Sequence, residues 1–220
     1  MKQLLLLIVL VIAGMAGYSQ GSLGKSDPDA KRILDAVSAK FKTYKSVQAT
    51  FTMKDEDAKG AVLGIKKGTV MMKGSRYHVI INGGQEIFCD GVTTWTFDKS
   101  SNEVTITKVD PSVSTLSLQK LFTNFYDKDF LYKLNGDKAL NKKMLYEIEM
   151  TPVDKSKQFH TVYLLIDKQT NTIYSTKVLN NTGDVLTYTI NTFNGKVNLD
   201  DKLFTFDKSK YPGVEEVDLR

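Results

Sequence analysis

The sequence predicts a mainly β protein of about eleven antiparallel strands, with one helix near the N-terminus and a second helix inserted before the later strands. Apolar residues alternate through much of the chain, and Gly, Asn and Asp break these runs, which is typical of antiparallel strands joined by short turns. Residues 28–45 and 118–125 instead carry apolar residues three and four apart, as amphipathic helices do. No internal repeat or linker interrupts the pattern, so we expect one domain.

The first helix has clear boundary signals. Asp27 can cap its N-terminus, with Pro28 at the first helical position. One apolar stripe follows, and we expect the helix to end near Lys45. The stripe consists of Ile33, Leu34, Val37, Phe41 and Tyr44.

The centre of the chain, residues 76–107, predicts a meander of four short strands. Its apolar residues fall at spacing two within each strand, so we expect one apolar face that covers either a core or a ligand. His78 alternates with these residues and is expected to face outward. The apolar residues are Tyr77, Val79, Ile81, Ile87, Cys89, Trp95, Phe97, Val104 and Ile106.

Strands are predicted on both sides of the meander. Two precede it, at residues 47–53 and 62–72, with a polar loop at 55–60 between them. The second helix carries Leu118, Leu121, Phe122 and Phe125. The later strands are predicted at residues 130–134, 144–150, 161–167, 173–180, 185–193 and 203–206, with a charged loop at 137–143 and a tail after Gly213.

Residues 1–19 have the pattern of a signal peptide: Lys2, an apolar run, and small residues before Gln20. The sequence thus predicts an exported mature domain over residues 20–220, although an uncleaved anchor would share this pattern. No Cys follows the apolar run, so lipid attachment there is not expected. The single cysteine, Cys89, allows no internal disulfide and is expected to be a buried apolar residue.

Composition argues against several functions. The net charge is +5, but the lysines are scattered along the chain. A nucleic-acid-binding protein would be expected to cluster them. A weak affinity for anionic membranes is compatible with this charge. The two histidines, His78 and His160, lack metal-ligand spacing, and no Gly-x-Ser-x-Gly or phosphate-binding glycine loop occurs. We expect no catalytic residue, no cofactor and no metal site, although the acidic loops at 55–57 and 200–201 leave weak calcium binding open.

Several short motifs occur in a characteristic order. Phe51-Thr52 follows the first helix, a turn over residues 73–77 follows the second strand, and Asp90-Gly91 precedes Trp95. Leu203-Phe204-Thr205-Phe206 and Pro212-Gly213-Val214 end the series. In this order and spacing, the chain resembles the periplasmic outer-membrane lipoprotein carriers, the LolA family. The resemblance implies a single incomplete, half-open antiparallel β-barrel with a helical lid over its concave face.

The resemblance also implies a function. It indicates a soluble periplasmic carrier, monomeric, that binds lipoprotein acyl chains in a hydrophobic cavity and shuttles them from an inner-membrane release complex to an outer-membrane acceptor. The residues expected to contact lipid are Tyr77, Val79, Ile81, Ile87, Trp95 and Phe97, together with Leu118, Leu121 and Phe122 of the lid. Any one of these residues alone is better explained as ordinary core, and it is the resemblance that favours a pocket for the group.

One position departs from the family pattern. The carriers have an Arg directly after the Lys of the 73–77 turn, where it is thought to hold the lid closed, but this chain has Gly74. Arg76 is therefore the candidate latch. The departure leaves open an alternative function, a periplasmic binding or sensor module for another lipid or amphiphile on the same scaffold.

Overall fold

A computed structural model describes residues 26–109 and 126–220. Helix α1 spans Pro28–Lys42, and a single helical turn, α2, spans Tyr126–Asp129. Two 3₁₀ turns lie at Asp201–Phe204 and Lys208–Lys210. In these described ranges, no helix has the length and apolar character needed to span a membrane. The strands are β1 Val47–Glu56, β2 Val62–Lys73, β3 Arg76–Ile81, β4 Gln85–Cys89, β5 Thr93–Asp98, β6 Glu103–Lys108, β7 Phe130–Leu140, β8 Lys143–Pro152, β9 Phe159–Asp167, β10 Thr172–Asn180, β11 Val185–Asn194 and β12 Glu215–Asp218.

These strands form one sheet of twelve in the order β12-β6-β5-β4-β3-β2-β1-β11-β10-β9-β8-β7. The pairing of β1 with β11 joins the two halves of the chain, while β7 and β12 remain at opposite edges. The predicted antiparallel, half-open sheet is confirmed. Strand β12 was not predicted: it pairs parallel to β6 where the sequence predicted a tail.

Helix α1 begins as predicted and ends at Lys42. The Asp27 carboxylate accepts hydrogen bonds from the backbone N–H of Asp29 at 2.8 Å and of Ala30 at 3.5 Å. Its second oxygen accepts from the N–H of Leu134 in β7 at 3.1 Å, and this bond is the main reason why the pKa of Asp27 lies below its ordinary value. One residue thus caps α1 and fastens it to an edge strand.

The main core lies between α1 and the face of the sheet that α1 covers, here called the inner face. Ala30, Ile33, Leu34 and Val37 of α1 are buried against it. The sheet contributes Ala49, Phe51, Val70, Met72, Val79, Phe130, Tyr132, Ile148, Met150, Phe159, Val162, Leu164, Ile166, Ile173 and Val178.

The opposite, outer face of β2–β6 is also covered. The C-terminal segment, residues 195–214, packs on it and forms two smaller cores. One contains Met71, Leu199 and Phe204, and the other contains Phe97, Val104 and Val214. This half of the sheet therefore carries apolar side chains on both faces.

Two local predictions were wrong. Residues 137–143 are not a charged loop, because β7 continues to Leu140 and turns over Asn141 and Lys142, whose positive φ angles of 49° and 62° suit a tight hairpin. The charges there belong to exposed strand positions, where Lys138 pairs with Glu147. Residues 203–206 are not a strand either: the Asp200 carboxylate accepts the N–H of Lys202 at 2.9 Å and starts a 3₁₀ turn.

Candidate functional site

The candidate site is the part of the inner face that is apolar but incompletely buried. Strand register brings its members together, because Tyr77 lies opposite Met72 and Cys89, Val79 opposite Val70 and Ile87, and Ile81 opposite Gly68. Among these, Val79 is buried, whereas Tyr77, Ile81 and Ile87 are half-buried. Met53 and Tyr188, paired across β1 and β11, continue the half-buried strip.

Gly68 shapes the floor of this strip. A Cβ atom there would lie 2.4 Å from Cζ of Phe51 and 2.5 Å from the carbonyl oxygen of Ile80, far inside contact distance. The absence of a side chain lets the Phe51 ring lie against β2, where it is almost fully buried. The ring centroid of Phe51 lies 6.2 Å from that of Tyr188, so this packing supports one end of the strip.

The strip ends against a polar margin. Thr94 and Thr96 of β5 and Thr105 and Thr107 of β6 face each other in register on the inner face and are half-buried. Burial raises the pKa of the Tyr77 hydroxyl, and the neighbouring Cys89 thiol acts in the same direction, while a hydrogen bond with Thr94 opposes them. Hydrocarbon and a few hydroxyl groups therefore meet at one place on this face.

The expectation of a single apolar face on the meander is wrong. Cys89 pairs with Thr94, so an odd-numbered position lies opposite an even-numbered one, and the odd-numbered residues change face between β4 and β5. Trp95 accordingly lies opposite Phe88 on the outer face, and Phe97 is on that face too, packed with Val104. The thickness of the sheet separates Trp95 and Phe97 from Tyr77, Val79, Ile81 and Ile87. The sequence pattern did not reveal this change of face, because both faces of the meander are covered and bury apolar side chains.

Arg76 also projects from the outer face. Its Nη1 lies 3.0 Å from Oδ2 of Asp201, its guanidinium lies 5.6 Å from the centroid of the Phe204 ring, and Lys73 Nζ lies 2.7 Å from Asp201 Oδ1. These two cations hold the pKa of Asp201 below its ordinary value. Arg76 therefore fastens the C-terminal segment to the sheet.

The predicted lid residues Leu118, Leu121 and Phe122 lie outside the described residues.

A polar cluster around a buried histidine lies on the outer face. His78, expected to be exposed, is only 6% exposed, because its ring stacks on Phe88 with 4.1 Å between the ring centroids. Its Nε2 lies 2.8 Å from Oε1 of Glu86, whose other oxygen accepts the Tyr211 hydroxyl at 3.0 Å. The bond with His78 is the first cause of the lowered pKa of Glu86. Sequence reasoning missed this cluster, since Tyr211 gives no local signal.

The enclosed space between α1 and the sheet is small, although an open groove of about 880 Å³ lies beside the C-terminal end of α1. A pocket between the end of α1 and the sheet, lined by Phe41, Tyr44, Ile173 and Phe193, encloses about 10 Å³, room for one water molecule at most. A wider, open groove of about 830 Å³ crosses the outer face of β8–β11, but polar side chains such as Lys177, Thr187 and Thr189 line much of it. None of these spaces is lined by the residues of the inner strip. In the described ranges, no three His, Cys, Asp or Glu side chains come together as a metal site would require.

The fold and the strip define a class of protein: an open sheet that presents an apolar inner face beside a covering helix. Comparison with known families gives a match to the outer membrane lipoprotein carrier protein LolA over residues 42–207. The chain belongs to this family. Among curated proteins, the comparison finds no match.

The chain is also similar to solved structures, at low sequence identity. A conserved protein from Thermus thermophilus superimposes with a TM-score of 0.58 and 15% identity, covering 86% of this chain and 99% of that one. A LolA superfamily protein from Nitrosomonas europaea gives 0.44 and 17% identity over 80% and 97% of the two chains. The Mycobacterium tuberculosis lipoprotein LppX gives 0.48 and 15% identity over 80% and 100%.

Proposed function

We propose that this protein is a carrier that binds the acyl chains of lipoproteins and moves them from the inner to the outer membrane. The observation that carries the proposal is the half-buried inner strip of Met53, Tyr77, Ile81, Ile87 and Tyr188 in a member of the LolA family. Val79 forms the buried floor beside them. Side chains that are only half-buried keep apolar area that a hydrocarbon guest can cover.

The physical need for a carrier is large. Each buried methylene contributes about 0.8 kcal/mol, so an acyl chain of roughly sixteen carbons is held out of water by on the order of 10 kcal/mol. A lipidated protein can cross an aqueous compartment only if its acyl chains are covered. An apolar strip with adaptable residues such as Met53 supplies that cover.

Release requires a second state with weaker binding, because a ligand that binds two states equally cannot be driven off by switching between them. In the proposed carrier, Leu118, Leu121 and Phe122 act as an apolar lid that closes over the guest. Helix α1 is the other cover, and the hydrogen bonds of Asp27 hold it to β7. A latch role for Arg76 stays a prediction, and it would act through the C-terminal segment that Arg76 holds.

The proposed setting is the periplasm. Residues 1–19 would be removed as a signal peptide, leaving a mature monomer of residues 20–220. Its proposed partners are an inner-membrane complex that releases lipoproteins and an outer-membrane acceptor. The proposed role is binding and transfer, with no catalytic step, no metal and no cofactor.

A second function is favoured by one observation, the threonine margin of Thr94, Thr96, Thr105 and Thr107. Hydroxyl groups beside the apolar strip suit a guest that joins acyl chains to a polar, hydrogen-bonding head. On this alternative, the protein is a periplasmic binding or sensor module for another lipid or amphiphile. The replacement of the family's Arg by Gly74 is consistent with a change of guest.

The guest itself distinguishes these functions. The mature chain is purified from its native host without detergent, extracted with organic solvent and analysed by mass spectrometry, and the protein fraction is examined for co-purified lipoprotein. Triacylated lipoprotein supports the carrier function, and a different lipid supports the alternative. If no lipid co-purifies and a fluorescent fatty acid also fails to bind the purified protein, both functions are contradicted.

A further inference from the structure

Three large aliphatic side chains are exposed at the start of β2. Val62 is 53% exposed, Leu63 63% and Ile65 61%. They lie at the end of the β1–β2 hairpin, residues 56–67, here called the hairpin tip. Exposed aliphatics are ordinary when scattered singly, but three within four residues form a local apolar surface.

The hairpin tip extends beyond its neighbouring strand. The pairing of β2 with β3 begins at Gly68 opposite Ile81, so residues 62–66 have no strand partner on that side in the described part of the chain. On the other side they pair with β1, from Lys66 opposite Met53 to Val62 opposite Glu56. The tip is thus held in place by one strand and open along the other edge.

Three lysines flank these side chains in the sequence. Lys59, Lys66 and Lys67 are exposed and form no ion pair with any described residue. Two carboxylates share the tip with them: Glu56 Oε1 lies 2.9 Å from Lys54 Nζ, and Asp57 Oδ1 accepts the backbone N–H groups of Lys59 at 2.9 Å and Ala61 at 2.8 Å. Within residues 56–67, three lysines therefore outnumber two carboxylates. The tip combines exposed hydrocarbon with free lysines.

We propose that the hairpin tip docks on the surface of an anionic lipid bilayer. Val62, Leu63 and Ile65 enter the headgroup region, while Lys59, Lys66 and Lys67 contact lipid phosphates. Long lysine side chains can lie along the apolar surface and keep their ammonium groups among the headgroups. The excess of positive charge at the tip favours this surface over a neutral apolar protein partner, which offers the lysines no anionic groups.

Docking of the hairpin tip would place the half-buried inner strip close to the bilayer that contains its lipid guest. Met53 lies opposite Lys66 and Tyr188, so the half-buried inner strip begins beside the hairpin tip. A bilayer touched by the tip therefore lies next to one end of the strip. The purpose of docking rests on the proposed function, whereas bilayer binding itself can be measured independently of it.

The test uses residues 20–220 and sedimentation with vesicles of phosphatidylglycerol and phosphatidylethanolamine, with phosphatidylcholine vesicles for comparison. The wild type should bind the anionic vesicles at low salt and lose binding as salt is raised. Leu63→Asp should weaken binding at least about tenfold, since a charge replaces the most exposed aliphatic of the tip. Replacing Lys59, Lys66 and Lys67 with Gln should weaken it on the order of a hundredfold at low salt, about fivefold for each lysine.

Matched controls separate the tip from general charge and hydrophobicity. Leu219→Asp changes an equally exposed leucine, 66% exposed, far from the tip in sequence, and should change vesicle binding by less than about twofold. Gln at Lys45, Lys108 and Lys142 removes the same net charge from exposed positions elsewhere and should have a much smaller effect than the tip triple. Circular dichroism verifies that each variant is folded.

Three outcomes would overturn the docking proposal. The wild type could fail to bind anionic vesicles, or the tip and control variants could change vesicle binding equally. The third is that the tip variants change self-association in gel filtration and leave vesicle binding unchanged. Fatty-acid binding without vesicles is measured in parallel. Loss of vesicle binding with intact fatty-acid binding contradicts only the docking, and the reverse result contradicts only the proposed function.

Discussion

Arg76 and Asp201 are joined by an ion pair with 3.0 Å between Nη1 and Oδ2, and Lys73 approaches the other carboxylate oxygen of Asp201 to 2.7 Å. Lys73 also donates to the carbonyl oxygen of Leu199 at 3.1 Å. The β2–β3 turn thereby holds the C-terminal segment on the outer face of the sheet. That segment supplies Phe204 and covers Met71, so the contact supports a core as well as a charge pair.

Asp201→Asn should slightly lower the melting temperature at neutral pH. It should also reduce the fall in melting temperature that the protein shows as pH is lowered. Because the pKa of Asp201 is below its ordinary value of 3.8, its stabilising contribution is present above that value and is lost as pH falls through the folded-state pKa. Thermal melts from pH 7 to pH 3 measure both effects. Glu215→Gln, a change at an exposed carboxylate without an ion pair to any described residue, is the control. Equal acid profiles for wild type and Asp201→Asn would contradict the prediction.

Ile87→Ala and Trp95→Ala test which face of the meander binds lipid. Ile87 is half-buried on the inner face, and losing its methyl and methylene groups should weaken fatty-acid binding about tenfold. Trp95 lies on the outer face with Phe97 and Phe206, so its replacement should lower stability and leave the affinity within about twofold. Fluorescent fatty-acid titrations and urea unfolding measure the two effects separately. Stronger loss of binding in Trp95→Ala would assign the site to the outer face.

Gly68→Ala should destabilise the protein by about 3 kcal/mol, the upper end for overpacking, because the new methyl group meets both the Phe51 ring and the rigid carbonyl of Ile80. Gly64→Ala in the same strand is the matched control, since no atom lies within 4 Å of its added Cβ, and it should change the free energy of unfolding by less than about 0.5 kcal/mol. Urea unfolding gives both values. Similar values for the two variants would show that Phe51 does not need the space at Gly68.

Tyr211→Phe should lower the free energy of unfolding by about 1 kcal/mol at neutral pH, because Glu86 loses a hydrogen bond in a partly buried site. The pKa of Glu86 should rise toward its ordinary value of 4.5, although the bond with His78 keeps it lowered. The stabilisation from Glu86 is fully present above that ordinary value and is lost as pH falls through its folded-state pKa. Urea unfolding and NMR titration of Glu86 measure these changes.

Tyr174→Phe is the matched control for Tyr211→Phe. The Tyr174 hydroxyl accepts from exposed Asn141 at 2.8 Å, so water can replace the lost bond, and stability should hardly change. If Tyr211→Phe were as mild as Tyr174→Phe, the partly buried cluster of His78, Glu86 and Tyr211 would add little to stability.

Local signals predicted the helix and the meander strands, because caps and tight turns depend on neighbouring residues. Asp27 and Pro28 start α1, and Asp90-Gly91 separates β4 from β5, as expected. The face occupied by Trp95 could not be predicted in the same way. The alternating apolar residues of β5 look the same in the sequence whichever face they occupy, because the C-terminal segment supplies a second core on the outer face.

The candidate site was predicted only in part. Tyr77, Val79, Ile81 and Ile87 do come together on the inner face, as their shared spacing indicates. Met53 and Tyr188 join them through the pairing of β1 with β11, which links distant parts of the chain. No local pattern specifies such a pairing, because it is selected by the burial of both strands in one core.

The amino-acid sequence by itself determined the turns, the helix cap and the alternation of each strand, since these follow from the conformational preferences of a few adjacent residues. Only the tertiary structure decided which face each strand turns toward α1, that residues 215–218 extend the sheet, and that Arg76 meets Asp201. These features depend on strand register and on contacts between segments far apart in the chain. Their free energy comes from covering two faces of one sheet at once, which no single segment encodes.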